Sequence, residues 1–201
     1  VFSVDGDFAD LPGLSEVCDD FGAMLAVDDA QGIGVLGSSG AGCIDHLGLE
    51  QDRWPVLVGT FGKAFGTFGV FVAGPSALMD YIEQVARPYI YTTAMPPAIA
   101  VATCASIDLI EQDDERRHHL QELVAEFRNE ASSMGYALMP SRTPIQPIMI
   151  GDNWAALELS RALEARGLLV PANRPPTVPE WQARVRVTPS ARQSRAAAGR
   201  L

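Results

Sequence analysis

The pattern of this chain predicts an α/β fold, a mostly parallel sheet covered by helices, with a smaller α+β lobe after it. Three observations carry that expectation. Ala23–Val27 and Pro55–Val58 are short, continuously apolar runs of the kind found in strands buried on both faces, and segments with helical spacing surround them. Each run leads directly into a turn holding charged residues, where open α/β sheets place their ligands. Beyond residue 114 the order changes to one long amphipathic helix, then strand, helix, strand and strand, an α+β arrangement.

The elements follow in order. Val1–Asp5 reads as a strand. Leu11–Phe21 reads as a helix entered through Asp10-Leu11-Pro12, with Pro12 in its first turn and Gly22 at its end. Ala23–Val27 is the next strand, and Gly32–Gly42, with five glycines and two serines, is a loop. Val56–Val58 and Gly69–Ala73 are strands, and Ser76–Ala86 is a helix. Pro96-Pro97 opens a helix of small residues over Ala98–Glu111. The next helix, Asp114–Met134, gathers Leu120, Leu123, Val124, Phe127 and Ala131 on one face and leaves Arg116, Arg117, His118 and His119 on a polar one. Strand Ile145–Ile150, helix Trp154–Arg166, strand Leu168–Pro171, a proline-rich turn and strand Arg184–Thr188 complete the lobe. The break Gln112-Asp113-Asp114-Glu115 sets a boundary, with one domain over residues 1–112 and the other over 113–201. The tail Arg195–Leu201 is expected to fray.

At 201 residues, 47% hydrophobic and 20% charged, the chain has the makings of an ordinary packed core. A net charge of -10 argues against nucleic-acid and acidic-membrane partners, which need a basic face. Apolar stretches such as Phe68–Met79 are interrupted by Gly69, Gly74 and Pro75, so no membrane span is expected. Cys18, Cys43 and Cys104 form no CxxC pattern and read as reduced, mostly buried thiols of a cytoplasmic protein. No metal is expected: His118 and His119 lack converging ligands, and His46 reads as structural. Trp54, Trp154 and Trp181 read as core or interface packing rather than a cofactor box. The chain opens inside the apolar stretch Val1-Phe2-Ser3-Val4 without a Met, as a fragment does.

The chemistry concentrates in Val58-Gly59-Thr60-Phe61-Gly62-Lys63-Ala64-Phe65-Gly66, one lysine in a glycine-rich turn after an apolar strand. Partial desolvation among glycines and Phe61 and Phe65 would favour its neutral, nucleophilic amine, the alternative being an exposed loop lysine. A phosphate-loop reading fails, because the spacing is short and Ala64 stands where a magnesium-binding hydroxyl belongs. Upstream, Ala23–Val27 ends on Asp28 and Asp29. Pyridoxal phosphate needs both kinds of group, an amine for its aldehyde and a carboxylate that keeps its pyridine nitrogen protonated. The alternative for either Asp is a loop or helix cap.

Together the two segments resemble the α-oxoamine synthase family of pyridoxal-phosphate enzymes. The resemblance extends to Arg87–Pro97, Asn173–Pro179 and Ala183–Thr188. It implies the large domain of the fold-type-I pyridoxal-phosphate transferases, lacking its N-terminal part, joined to their C-terminal α+β domain. It also implies full members about twice this length, a two- or three-domain size.

By position, the resemblance makes Lys63 the Schiff-base lysine and Asp28 the partner of the pyridinium. It places Ser3 near the cofactor ring and Thr60 near its phosphate. Thr92 and Thr93 would reach the phosphate of the neighbouring subunit, which implies a homodimer with shared active sites. Where the family has Asp-Asp-Ala-His, this chain reads Asp28-Asp29-Ala30-Gln31; a glutamine can donate a hydrogen bond to the cofactor but is never cationic. Arg186 is the better candidate for an amino-acid carboxylate, with Arg174 and Thr177 beside it, whereas Arg184 alternates to the other strand face. Taken on its own, an arginine pair in a strand reads as a solvated face. The implied reaction condenses an amino acid, L-alanine by the details of residues 87–97 and 173–188, with a pimeloyl thioester on CoA or acyl carrier protein, with loss of carbon dioxide. The alternatives are a family member using glycine or serine with another acyl-CoA, and a non-catalytic dimerisation partner.

Overall fold

The computed structural model describes residues 1–49 and 56–195. The reading of Trp54 and most of the expected tail lie outside the described residues. Contacts divide the chain into two compact units, residues 10–114 in one and residues 1–9 with 115–201 in the other.

In the first unit, α1 (Leu11–Phe21) is set by its caps. Asp10 accepts a hydrogen bond from the Gly13 amide at 3.2 Å, and Gly22 closes the other end in the left-handed conformation at φ 60°. The Ala23 amide then bonds back to the Cys18 carbonyl at 2.8 Å, so the following strand starts later than its apolar run, as β1 (Ala26–Asp28). Of its residues only Val27 is buried, because β1 is the sheet's edge among the described strands rather than a strand covered on both faces. The glycine loop leads to a short helix, α2 (Cys43–Leu47), and then to β2 (Val56–Thr60), which pairs parallel to β1 with Asp28 opposite Val58.

β3 (Val70–Ala73) returns antiparallel to β2. Residues 61–69 are too few for the crossover that a parallel neighbour requires, so this sheet is mixed. Then follow α3 (Ser76–Val85), α4 (Arg87–Ile90) and α5 (Pro97–Gln112).

In the second unit, β4 (Gln146–Gly151), β6 (Ala183–Val187) and β5 (Ala172–Asn173) form an antiparallel sheet in that spatial order. The helices are α6 (Asp114–Ser133) and α7 (Asn153–Glu164), the latter capped by Asp152, which accepts from the Trp154 and Ala155 amides at 2.9 and 2.8 Å. Phe127 and Ala131 of α6 meet Val170, Val185 and Val187 in the core, with Leu159 and Leu163 of α7 against them.

Several expectations change. Val1–Asp5 is a turn, not a strand: Gly6, at φ 73°, donates to the Phe2 carbonyl at 2.8 Å, and Asp5-Gly6-Asp7 is turn chemistry. Leu168–Pro171 is not a strand either. Pro171 has no amide proton, its carbonyl accepts the Arg186 amide at 3.0 Å, and the pairing counted as β5 begins one residue later. Arg117 is buried on α6 instead of solvated. Trp154 and Trp181 are exposed rather than core residues. Only Cys43 of the three free thiols is buried. Among the described residues, no helix is long and apolar enough to cross a membrane.

Candidate active site

Parallel pairing decides where the chemistry can assemble. With Asp28 opposite Val58, β1 and β2 end at the same edge of the sheet, one on a carboxylate and the other in the lysine turn. That turn is closed by the Thr67 amide on the Phe61 carbonyl at 2.8 Å and the Gly66 amide on the Lys63 carbonyl at 3.0 Å. Phe61 packs edge-on against Phe65 and tilted against Phe71, each with ring centroids 5.2 Å apart. The backbone is therefore braced from inside while the Lys63 side chain projects outward and is exposed, contrary to the desolvation expected for it. The aromatic rings spend their apolar surface on one another and on β3 instead.

The paired acids divide their work. Asp28 is exposed and caps its own turn, Oδ1 accepting from the Ala30 amide at 3.0 Å. Asp29 is only 1% exposed, and its Oδ2 accepts from the Cys43 amide at 2.6 Å, pinning the far end of the glycine loop. Cys43 lies against the same carboxylate; burial, then its hydrogen bond to Asp29, push the thiol up to about 12. Sequence reasoning treated Asp29 only as an alternative cap, and its signal was the alternation that turns it inward when Asp28 faces out. Gln31 is half-buried at the start of the loop.

Thr60 spends its hydroxyl inside the lysine turn, donating to the Gly69 carbonyl at 3.1 Å and accepting from the Gly62 amide at 3.3 Å. Thr92 donates to the Pro88 carbonyl, and Thr93 is exposed. Met95, two residues on, lies over Gly69, where an added β-carbon would come within 3.1 Å of its Cε. The segment before α5 thus runs beside the end of the lysine turn.

In the second unit, β6 corrects the expectation that Arg184 turns to the face opposite Arg186, because side chains two residues apart on a regular strand share a face. The Arg184 guanidinium is buried and paired with Asp5, with Nε donating to the Gln182 carbonyl at 3.0 Å, so it is no solvated bystander. Arg186, two residues on, shares that face, opposite the core residues Val185 and Val187, and donates from Nη1 to the Ser3 carbonyl at 2.7 Å. Its buried Nε has no acceptor among the described residues. Ser3 is exposed, as are Arg174 and Thr177, which share a turn through the Thr177 amide and the Arg174 carbonyl at 2.9 Å. The structure thus brings Asp28, Gln31, Thr60 and Lys63 into one unit and Ser3, Arg174, Thr177 and Arg186 into the other.

The residues of the first unit suit a pyridoxal group: a carboxylate with one oxygen outside the loop's hydrogen bonds and an accessible primary amine lie at one sheet edge.

Comparisons agree with that chemistry. A family model described as aminotransferase class I and II matches residues 1–201. An 8-amino-7-oxononanoate synthase of Marinobacter nauticus is 61% identical over 201 residues, all of this chain and 51% of the relative. The Sphingomonas wittichii serine palmitoyltransferase (SPT) superposes with a TM-score of 0.94 at 30% identity, over the whole of this chain and 50% of that one. A structure of SPT with its PLP internal aldimine gives the same TM-score, identity and coverage. The chain spans about half the length of the curated relatives it matches.

Proposed function

From the premise that this chain belongs to the aminotransferase class I and II family, whose α-oxoamine synthase branch it resembles, we propose that the protein containing it makes 8-amino-7-oxononanoate from L-alanine and a pimeloyl thioester. Pyridoxal phosphate is the cofactor. The observation that carries the reading is the common edge of β1 and β2, which presents Asp28 and Lys63 together in a chain 61% identical to an enzyme of that name.

When bound, the cofactor supplies an electron sink for the amino-acid carbanion. Asp28 keeps the ring nitrogen protonated. Lys63 would hold the cofactor at its aldehyde carbon, and its amine is the base placed to take the α-proton. Gln31 donates a hydrogen bond toward the cofactor where the family has a histidine. Ser3 orients the ring, Thr60 shapes the lysine turn close to the phosphate, and Thr92 and Thr93 complete the phosphate site of a second subunit in a homodimer.

Arg186 binds the amino-acid carboxylate, its unpartnered Nε supporting this role, with Arg174 and Thr177 beside it. A domain boundary between residues 112 and 113, with residues 1–9 counted in the second unit, and a cytoplasmic setting belong to the same proposal. A second reading, condensation of serine with a longer acyl thioester, is favoured by the likeness to serine palmitoyltransferase. The doubled identity to the pimeloyl-type relative outweighs it.

The test uses the cofactor-loaded protein. Borohydride should fix a pyridoxyl group on the peptide containing Lys63, and Lys63→Ala should lose both that label and the visible absorbance. L-alanine with pimeloyl-CoA should turn over faster than serine with palmitoyl-CoA. An unchanged spectrum in the variant would overturn the lysine assignment, and the reverse substrate preference would favour the second reading.

A further inference from the structure

Helix α5 touches its unit through one stripe. Ile99, Thr103, Ser106 and Ile110, at helical spacing, are its covered residues, and every other residue of Pro97–Gln112 is exposed. That stripe is used on the lysine turn. The Ser106 hydroxyl donates to the Phe65 carbonyl at 2.7 Å. The Thr103 hydroxyl, 6% exposed as a residue, donates to the Ile99 carbonyl at 2.8 Å and lies 2.9 Å from the Thr67 hydroxyl. Each hydroxyl has one proton and a carbonyl in reach, Ile99 at 2.8 Å for Thr103 and Phe61 at 3.4 Å for Thr67; the shorter contact keeps the Thr103 proton, so Thr67 is the better donor of the pair. Phe65 and Thr67 flank Gly66, whose amide closes the turn on the Lys63 carbonyl. Ile110 reaches the glycine loop as well: a β-carbon on Gly34 would stand 3.2 Å from its Cδ1 and 2.5 Å from the Ala64 Cβ.

We propose that Thr103 and Ser106 are positioning residues for Lys63, a rail on α5 that fixes the turn's backbone so that an exposed amine returns to one place. The idea rests on the reading of Lys63 as the cofactor-bearing lysine. It accounts for two hydroxyls at partly buried positions of a helix otherwise wetted all round, where alanine would be the better helix former. Binding the amino acid does not require the rail. Exchange of the cofactor between Lys63 and the amino acid does, because the amine must leave and return with its geometry kept.

The experiment compares Thr103→Val, Ser106→Ala and the double variant with the hydroxyl-keeping Thr103→Ser and Ser106→Thr. Cys104→Ser, on the exposed side of the same helix, is the control. Hydrogen exchange of the cofactor-free protein should quicken at Gly66 and Thr67 by about three- to ten-fold per hydroxyl lost, the factor of one hydrogen bond, while the β2 peptide stays unchanged. In the loaded protein, L-alanine should displace Lys63 more slowly by a similar factor, with KM for L-alanine unchanged. Both effects should revert in the hydroxyl-keeping variants. Unaltered exchange at the turn, equal loosening of β2, or a quickened turn with unaltered displacement overturns the proposal. If the parent protein itself gives no borohydride label at Lys63, the functional reading fails instead, and the exchange comparison still decides whether α5 holds the turn.

Discussion

Two arginines two residues apart on β6 should fail differently when removed. Arg186→Ala removes a half-buried guanidinium proposed to hold the amino-acid carboxylate, so affinity for the amino acid should fall by roughly ten- to a hundred-fold, the factor of one charge-assisted hydrogen bond, with the smaller change in stability of the two. Arg184→Ala leaves Asp5 without its partner and empties a buried site, which should lower the unfolding free energy by about 2–4 kcal/mol. Urea midpoints and amino-acid titrations on both variants check the pair, and a common phenotype would refute the division.

Cys43 offers a pH prediction. Its thiol is raised in the fold from the ordinary 9.0 to about 12, so the neutral form is the one the fold favours. The associated stability is fully present below pH 9 and is lost as pH climbs toward 12, by about 1.4 kcal/mol per unit. Cys43→Ala should lack that alkaline loss when unfolding is measured at pH 8 and pH 10. At this scale, residue types were readable and burial was not. Lys63, Asp28 and the strand arginines stand out by chemistry and spacing, but whether a lysine is wet or an arginine is paired depends on residues far away in sequence, such as Asp5 for Arg184.

Elements were more legible where local chemistry ends them. The bounds of α1 follow from Asp10, Pro12 and Gly22, and α7 begins at the Asp152 cap. They were less legible where tertiary pairing chooses the register, as at Leu168–Pro171, or where a turn competes with a strand, as at Asp5-Gly6-Asp7. The hydroxyl stripe of α5 was hidden because a helix of small residues shows no apolar face to read. Packing between the glycine loop and the lysine turn makes its own prediction. Gly34 has φ 81°, and a β-carbon there would lie 2.5 Å from the Ala64 Cβ, so Gly34→Ala must strain the loop and push it off the turn. A forced left-handed β-carbon alone costs about 1–2 kcal/mol, so affinity for pyridoxal phosphate should fall by roughly ten-fold, read by equilibrium dialysis. An unchanged affinity would show that the loop and the turn are not mechanically joined.

For the whole molecule, the proposed sharing of sites between two subunits predicts complementation. Mixed dimers of Lys63→Ala with a Thr92→Val/Thr93→Val double variant hold one site with both defects and one with neither. Random mixing of the two inactive proteins should then recover about a quarter of the parent activity, since half of the dimers are mixed and each has one intact site. No recovery in proteins shown to exchange subunits would place the threonines in their own subunit's site.

The order of synthesis gives one feature a further consequence. The Gly6 carbonyl accepts hydrogen bonds from buried Ser141 and Thr143, and the Ser3 carbonyl accepts from Arg186. Residues 10–114 are therefore an insertion, spliced between the opening segment and the rest of its unit. A ribosome adding roughly 5–20 residues per second leaves residues 1–9 waiting for their partners beyond residue 114 while residues 10–114 can already pack on one another. Premature stops beyond residue 114 should accordingly yield nascent chains in which residues 10–114 resist protease while the segment 1–9 is clipped.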